Sequence, residues 1–130
     1  MNKGVYCLLI DLKEPKKIKI GCLGHMSFKR GYYCYVGSAL NNLEKRVERH
    51  LKNPKDKKTR WHIDYFLKHA KIIDVMKILT NKKTECLVNN RVRKLSDEII
   101  TNFGSSDCRC KGHLHYFKKR PSLRLLDYKA

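Results

Sequence analysis

The chain has 130 residues, of which 42% are hydrophobic, and it carries 30 Lys and Arg against 12 Asp and Glu, a formal net charge of +18. This length and composition favour one folded domain with its own core and exclude a disordered or low-complexity chain. No stretch reaches the roughly 18 to 20 apolar residues of a membrane-spanning helix, and no signal peptide precedes the first strand-like run, so we expect a cytoplasmic protein with no membrane partner.

Three strands are predicted in the first part of the chain. Apolar residues occupy both faces of the first one, since Val5, Cys7 and Leu9 alternate with further apolar side chains. This pattern is typical of a strand in the middle of a covered sheet. The predicted order is a strand from Gly4 to Leu12, a turn over 13–16, a strand from Ile18 to Leu23, an irregular connection from Gly24 to Gly31 and a strand from Gly31 to Gly37.

A helix is predicted next, running to about Lys52. Ser38 or Asn41 offers its N-cap, and Glu44 completes a capping box with Asn41. Apolar side chains then recur at helical spacing.

The remainder predicts alternating helices and short strands. The elements are a basic loop from Asn53 to Thr59, a helix from Trp61 to His69, a strand from Ile72 to Leu79, a helix from Thr84 to about Asn102 that Gly104 ends, and a short strand from His113 to Phe117. Together they predict an α+β fold with a small central, mainly antiparallel sheet flanked by helices. We expect a single domain over residues 1–120 and a C-terminal tail over 121–130.

The charge predicts a polyanionic partner, and nucleic acid is the commonest large one. The basic residues come in runs, at Lys16–Lys19, Lys55–Arg60 and Lys118–Arg120. The alternative is a solvated, highly charged surface, which is the usual meaning of any single run.

Six cysteines are present, but a chain with an ordinary core in a reducing compartment needs no disulfide framework. Cys7, Cys34 and Cys86 lie in apolar runs and are predicted to be small buried side chains.

Four zinc-type donors occur within eight residues: Cys108, Cys110, His113 and His115. Their spacing is tighter than that of common zinc motifs. The alternative is a compact loop that packs beside the functional site, with Asp107 contributing to it.

Arg46 and His50 lie four residues apart and share a helix face. The guanidinium fork of Arg46 suits a phosphate, whereas the alternative is an ordinary surface pair on a charged helix. Glu85 opens the long helix, where it either complements the helix dipole or ligates Mg²⁺. Tyr6 and Tyr35, on strands, more often fill a core edge than act as bases.

Taken in order, Gly4-Val5-Tyr6, Tyr35-Val36-Gly37, Arg46, His50 and Glu85 resemble the signature of the GIY-YIG nuclease superfamily. That resemblance implies a metal-dependent endonuclease that hydrolyses DNA phosphodiester bonds. It implies that Glu85 holds Mg²⁺ or Mn²⁺, that Arg46 stabilises the phosphate, and that Tyr6 is the general base. Tyr35 and His50 would then position the reacting groups.

Further segments resemble one prokaryotic branch of that superfamily, a domain of unassigned function found alone or joined to endonuclease III-type repair proteins. They are Gly31–Ala39, Arg60–Phe66, Glu85–Leu87, Phe103–Cys110 and His113-Leu114. The superfamily resemblance favours DNA over RNA as substrate, and the branch implies a DNA-repair protein as partner, with the oligomeric state open. The interval between the two tripeptides is longer here than in most members.

The branch segments add candidate site residues, each with a structural alternative. His62 is placed near the phosphate or is a hydrogen-bonded structural histidine, and Asp64 orients a base or metal or pairs with a lysine. Trp61 stacks on a base or lies at the core edge. Asn89 helps to orient the site. Two rival functions stay open: a non-catalytic nucleic-acid-binding module of the same fold and a zinc-stabilised interaction domain.

Overall fold

The computed structural model describes residues 3–39, 41–80, 84–104 and 110–126. Within them, a five-stranded, fully antiparallel sheet has the strand order β5-β1-β4-β7-β6. Its strands are β1 (Gly4–Leu12), β4 (Gly31–Ala39), β5 (Lys71–Leu79), β6 (Glu98–Ile100) and β7 (Leu114–Phe117). A separate hairpin pairs β2 (Lys16–Lys19) with β3 (His25–Phe28).

Helices cover both faces of the sheet. They are α1 (Leu43–Leu51), α2 (His62–Phe66), α3 (Glu85–Leu95) and α4 (Leu123–Leu126). One core cluster joins a sheet face to Leu43 and Val47 of α1 and to Ile63 and Phe66 of α2. The other face packs on α3 and α4. The predicted α+β class, with a central antiparallel sheet flanked by helices, is therefore confirmed.

The central strand β1 behaves as its alternating apolar residues predict. Tyr6 and Leu8 enter the cluster on the α1 side, whereas Val5 and Cys7 enter the cluster on the α3 side. Since β5 and β4 flank β1 in the sheet, its backbone is paired on both edges and its side chains are buried on both faces.

The predicted second strand and the irregular connection after it are wrong in their bounds. The strand ends at Lys19, a 3₁₀ turn occupies Gly21–Leu23, and residues 25–28 form a strand that pairs back on residues 16–19. Gly21 and Gly24 have positive φ angles of 47° and 76°, which a turn permits and an extended strand does not.

The long predicted helix is also wrong in its second half. α3 ends at Leu95, where Ser96 Oγ donates to the carbonyl of Arg93, and residues 98–100 form β6 against β7. The apolar spacing that predicted one helix to Asn102 runs by coincidence from a helix into a strand. Leu95, the residue that connects the two parts of this pattern, is 46% exposed and does not belong to a buried helix face.

Smaller corrections concern the helix ends. The side chain of Asn42, rather than of Ser38 or Asn41, caps α1 by accepting from the Lys45 backbone N–H at 3.1 Å. α2 covers only part of the range predicted for it. The segment assigned to a tail includes α4, whose Leu123 is buried in the α3-side cluster.

The cysteines divide between core and surface. Cys7 and Cys34 are buried, as predicted, but Cys86 is exposed, so that prediction is wrong. Cys86 lies in the first turn of α3, two residues before Val88, and is not among the buried residues of this helix, which are Val88, Asn89 and Val92. No helix among the described residues has the length and apolar character to span a membrane.

Candidate functional site

The two tripeptides meet across β1 and β4, where Tyr6 is paired with Gly37. A Cβ atom on Gly37 would lie 2.4 Å from Cζ and from the hydroxyl oxygen of Tyr6. The glycine therefore leaves the space that the tyrosine ring fills. Gly4 is constrained in the same way, since a Cβ there would lie 2.2 Å from the carbonyl oxygen of Ile78 on β5. Both motif glycines are thus required by close packing.

Tyr6 is hydrogen-bonded to His50, which α1 brings across the sheet face. The hydroxyl oxygen lies 2.7 Å from Nε2 of the imidazole, and both residues are 2% exposed. Tyr35, on β4, lies on the same face of the sheet as Tyr6. Its ring centroid is 6.4 Å from that of Tyr6 and 6.2 Å from that of His50. The sheet and α1 thus bring the three predicted side chains together.

The Tyr6–His50 bond has two proton arrangements. Either Tyr6 donates to Nε2 while Nδ1 carries the imidazole proton, or Nε2–H donates to the tyrosine oxygen. His50 Nδ1 is buried and has no hydrogen-bond partner among the described residues. The first arrangement leaves Nδ1–H without an acceptor, and the second leaves the hydroxyl proton of Tyr6 without one among the hydrogen bonds of the described residues. The geometry is therefore compatible with either tautomer.

Burial keeps this pair neutral. It lowers the pKa of His50 to about 3, although the charge of Asp64 opposes the shift. It also raises the pKa of Tyr6, against the charge and the hydrogen bond of Arg46, and raises the pKa of Tyr35. At neutral pH the imidazole is therefore uncharged and both phenols keep their protons.

A second group of polar residues lies beside this pair, where β4 ends. Ser38 Oγ donates to Oε1 of Glu85 at 2.9 Å, and a guanidinium nitrogen of Arg46 donates to the backbone carbonyl of Ser38 at 3.2 Å. Ser38 thus connects the carboxylate of α3 to the guanidinium of α1. Because α3 and α1 cover opposite faces of the sheet, the two charges meet around the end of β4.

The Glu85 carboxylate fits a divalent cation. Its side chain is 23% exposed, Oε1 accepts from Ser38, and Oε2 lies 3.5 Å from Nδ1 of His113. His113 Nδ1 also lies 3.1 Å from the Val36 carbonyl, which requires this nitrogen to be the donor. Mg²⁺ is commonly held by one or two carboxylates, with water and substrate phosphate as its other ligands. Among the described residues no group of three or more His, Cys, Asp or Glu side chains converges on such a site.

Trp61, at the start of α2, is surrounded by arginines. The guanidinium carbons of Arg49, Arg46 and Arg60 lie 4.3, 4.8 and 5.8 Å from its ring centroid. The cation–π contact with Trp61 helps to hold Arg46 next to the Tyr6–His50 pair. The ring is partly exposed at the core edge, in agreement with the structural alternative for this residue.

Asp64 pairs with an arginine rather than a lysine. Its two carboxylate oxygens accept from Arg49 at 3.2 and 3.1 Å, and Oδ2 also accepts from the backbone N–H groups of Arg60 and Trp61. Burial pushes the pKa of Asp64 upward, but these hydrogen bonds outweigh it and lower the pKa. With its oxygens engaged in this way, Asp64 positions α2 and Arg49.

The other predicted site residues lie around this centre. His62 Nδ1 accepts from the Gly104 backbone N–H at 2.9 Å, a structural bond. Asn89 is buried, donates to the Gly112 carbonyl and accepts from His115 Nε2 at 2.7 Å. It therefore joins α3 to β7 and makes no contact with Glu85 among these bonds.

The predicted zinc donors are described in part. His113 and His115 use one ring nitrogen each in the bonds given above, and Cys110 Sγ lies 3.2 Å from Cys86 Sγ. Asp107 and Cys108 lie outside the described residues. The zinc set stays a prediction.

Sequence reasoning missed two residues of the site. The only role that the sequence predicts for Ser38, which directly follows the second tripeptide, is that of a helix cap. It predicts no role for Arg49. The signal for Arg49 was its spacing of three from Arg46 on one helix. Nothing in the spacing indicated that Ser38 would contact Glu85, 47 residues away.

The comparisons with known proteins give one family. A family model described as a domain of unknown function, DUF123, matches residues 5–128. No curated protein and no solved structure matches the chain.

Proposed function

The chain belongs to the DUF123 family, whose model spans nearly all of it, and from its own site we propose that it is a GIY-YIG-type, metal-dependent endonuclease acting on DNA. The observation that carries the proposal is the Glu85–Ser38–Arg46 group beside the buried Tyr6–His50 pair. A carboxylate, a guanidinium and a phenol can together provide a metal ligand, a phosphate contact and a base for phosphodiester hydrolysis, and here they lie next to each other. The net charge of +18 supports a polyanionic substrate.

Each charged group has a chemical task in this proposal. Glu85 would hold Mg²⁺ or Mn²⁺, which supplies positive charge opposite the phosphate when bound. Arg46 keeps its guanidinium beside the site through Ser38 and Trp61, and its remaining N–H groups donate to the non-bridging oxygens as negative charge builds up there. No ordering of its side chain is then needed at the moment of reaction.

In this proposal Tyr6 accepts a proton from the attacking water as a phenolate, after its own hydroxyl proton has passed to solvent, since the resting protein holds the neutral phenol. Burial opposes the phenolate form, and the charge and hydrogen bond of Arg46 favour it. His50, neutral at physiological pH, donates Nε2–H to the oxygen of Tyr6 and so stabilises the phenolate and fixes its direction. Tyr35 limits the space beside the pair.

The experiment is incubation of labelled plasmid, branched and single-stranded DNA with purified protein and Mg²⁺ or Mn²⁺. Glu85→Ala and Tyr6→Phe are compared with Glu48→Ala, which removes an exposed carboxylate from the outer face of α1. Cleavage lost in the first two variants and kept in the third supports the proposal. Cleavage that persists without Glu85 would show that this site is not the catalytic one.

A second function is favoured by one observation, the burial of Tyr6, which is 2% exposed and whose pKa this burial raises. A phenol that keeps its proton at neutral pH is a poor base, and the same fold would then serve as a nucleic-acid-binding module without catalysis. That alternative predicts salt-sensitive DNA binding with no products under any divalent metal. The DNA-repair partner, which the resemblance to the prokaryotic branch implies, and the cytoplasmic location expected from the sequence belong to the leading proposal.

A further inference from the structure

The β2–β3 hairpin, inserted between the two motif strands, has one buried and one exposed face. Ile18 and Phe28 are each 3% exposed and pack into the cluster that also contains Phe66 of α2. The cross-strand pairs Lys17–Ser27 and Lys19–His25 point the other way, and all four side chains are exposed. The hairpin is thus anchored through one face and leaves the other exposed.

The exposed face is basic and lacks neutralising acids. Lys17 and Lys19 lie on this face, and residues 16–28 contain no Asp or Glu. The ion pairs among the described residues involve neither of these two lysines. Glu14 is the acid nearest in sequence, and Lys13 and Lys16 flank it. A flat two-stranded ribbon with this charge matches a polyanion, and such ribbons fit a DNA groove.

The hairpin lies on the same side of the sheet as the candidate site. Its anchor residues share a cluster with Leu43 and Val47 of α1. α2 lies between the hairpin and the candidate site. Tyr65 of this helix is next to Gly21 in the hairpin turn, and Trp61, at its start, contacts Arg46. Leu12, the last residue of β1, precedes the hairpin by four residues and is itself six residues from Tyr6 along the strand.

We infer that the exposed face of the β2–β3 hairpin binds phosphates of the same DNA duplex that the candidate site engages. This inference rests on the proposed function and narrows its substrate to a continuous duplex long enough to reach both places. Lys17 and Lys19 make the contacts, with His25 and Ser27 beside them.

The test measures binding of a 20-base-pair fluorescent duplex in EDTA, so that no cleavage is required. Lys17→Ala/Lys19→Ala is compared with Arg93→Ala/Lys94→Ala, which removes two exposed charges from α3 on the opposite face of the sheet. Each phosphate contact contributes about 0.9 to the slope of log affinity against log salt. We expect the slope to fall by about 2 in the hairpin variant and to stay at the wild-type value in the helix variant. Far-UV circular dichroism confirms that both variants are folded.

Equal losses in the two variants would mean that only net charge matters, and an unchanged slope in the hairpin variant would remove the hairpin from the interface. Either result overturns the inference and leaves the nuclease proposal standing, because cleavage is measured separately through Glu85. The converse, a hairpin-dependent slope in a protein that cuts no DNA, would reject the nuclease and keep the interface.

Discussion

The hydroxyl oxygen of Tyr6 and Nε2 of His50 lie 2.7 Å apart in a site from which solvent is almost excluded. The pair stays neutral because charging either partner would place an ion in that buried position. Among the neighbours that remain charged, Arg46 acts most strongly on the pair, since its charge and its hydrogen bond lower the pKa of Tyr6 against the effect of burial. The same burial also couples the stability of the fold to pH.

Lowering the pH from 7 to 5 should destabilise the protein through His50. Its folded pKa of about 3 lies below the ordinary histidine value of about 6.5. Between these pH values the unfolded chain binds a proton that the folded chain does not. This stability is therefore fully present above about pH 6.5 and is lost as the pH falls toward 3. The expected loss from His50 between pH 7 and 5 is about 2 kcal/mol.

Urea unfolding at pH 7, 6 and 5 measures this loss in the wild type and in His50→Gln, which retains a donor for Tyr6. The variant should lose less stability over that range. His25→Gln, which replaces an exposed imidazole on the hairpin, is the control. Asp64 does not interfere, since its lowered pKa makes its contribution disappear only at more acidic pH. Parallel curves for wild type and His50→Gln would contradict the neutral, buried imidazole.

Replacement of Gly37 by alanine should displace the Tyr6 ring. The new methyl group would lie 2.4 Å from two atoms of that side chain, and overpacking of this kind costs about 1 to 3 kcal/mol. Thermal and urea unfolding give the cost. In a Tyr6→Leu background the same replacement should cost at least 1 kcal/mol less, by about the coupling expected for contacting residues. Additive losses would mean that the glycine does not serve the tyrosine.

Asp64→Asn should destabilise the protein by about 2 to 3 kcal/mol, because it leaves Arg49 without its partner and weakens the bonds to two backbone N–H groups. The matched control is Glu44→Gln, whose pair with Lys77 at 2.7 Å is exposed. Such a surface pair contributes less than about 0.5 kcal/mol. Urea unfolding of both variants compares a buried ion pair with an exposed one, and similar losses would refute the structural role of Asp64.

The local sequence pattern predicted the fold correctly where the whole pattern belongs to one helix or strand. The double-sided apolar pattern of Gly4–Leu12 predicted the central strand correctly, since its side chains are buried on both faces of the sheet. The spacing of Val88 and Val92 continued through Leu95 to Ile99, yet a helix ends and a strand begins between them. Pairing with β7 decides the conformation of residues 98–100, and no local pattern contains that contact.

The site was predictable only to the extent that its residues lie in recognisable local motifs. Tyr6, Arg46 and His50 were identified from their places in the motif and the helix, and the structure brings them together. The role of Ser38 depends on a contact across 47 residues. The same holds for Asn89, whose partners Gly112 and His115 come from another element. Residues that act through tertiary contacts leave no periodic signal.

Arg46→Lys should separate catalysis from charge. Lysine keeps the positive charge but loses the planar fork that reaches Ser38 and stacks on Trp61. If Arg46 stabilises the phosphate in the transition state, the cleavage rate should fall by about 10² to 10³, as for the loss of one preorganised donor. DNA affinity should change by less than about tenfold, since the electrostatic part of binding depends mainly on charge.

Single-turnover cleavage and binding in EDTA are measured on the same duplex, beside Lys45→Ala, which removes an exposed charge from the same helix turn. The control should reduce affinity slightly and leave the single-turnover rate unchanged. A rate that falls only in proportion to affinity would assign Arg46 to substrate binding. A rate that collapses while affinity is kept would place the guanidinium at the reacting phosphate, because only an interaction that strengthens in the transition state affects the chemical step alone.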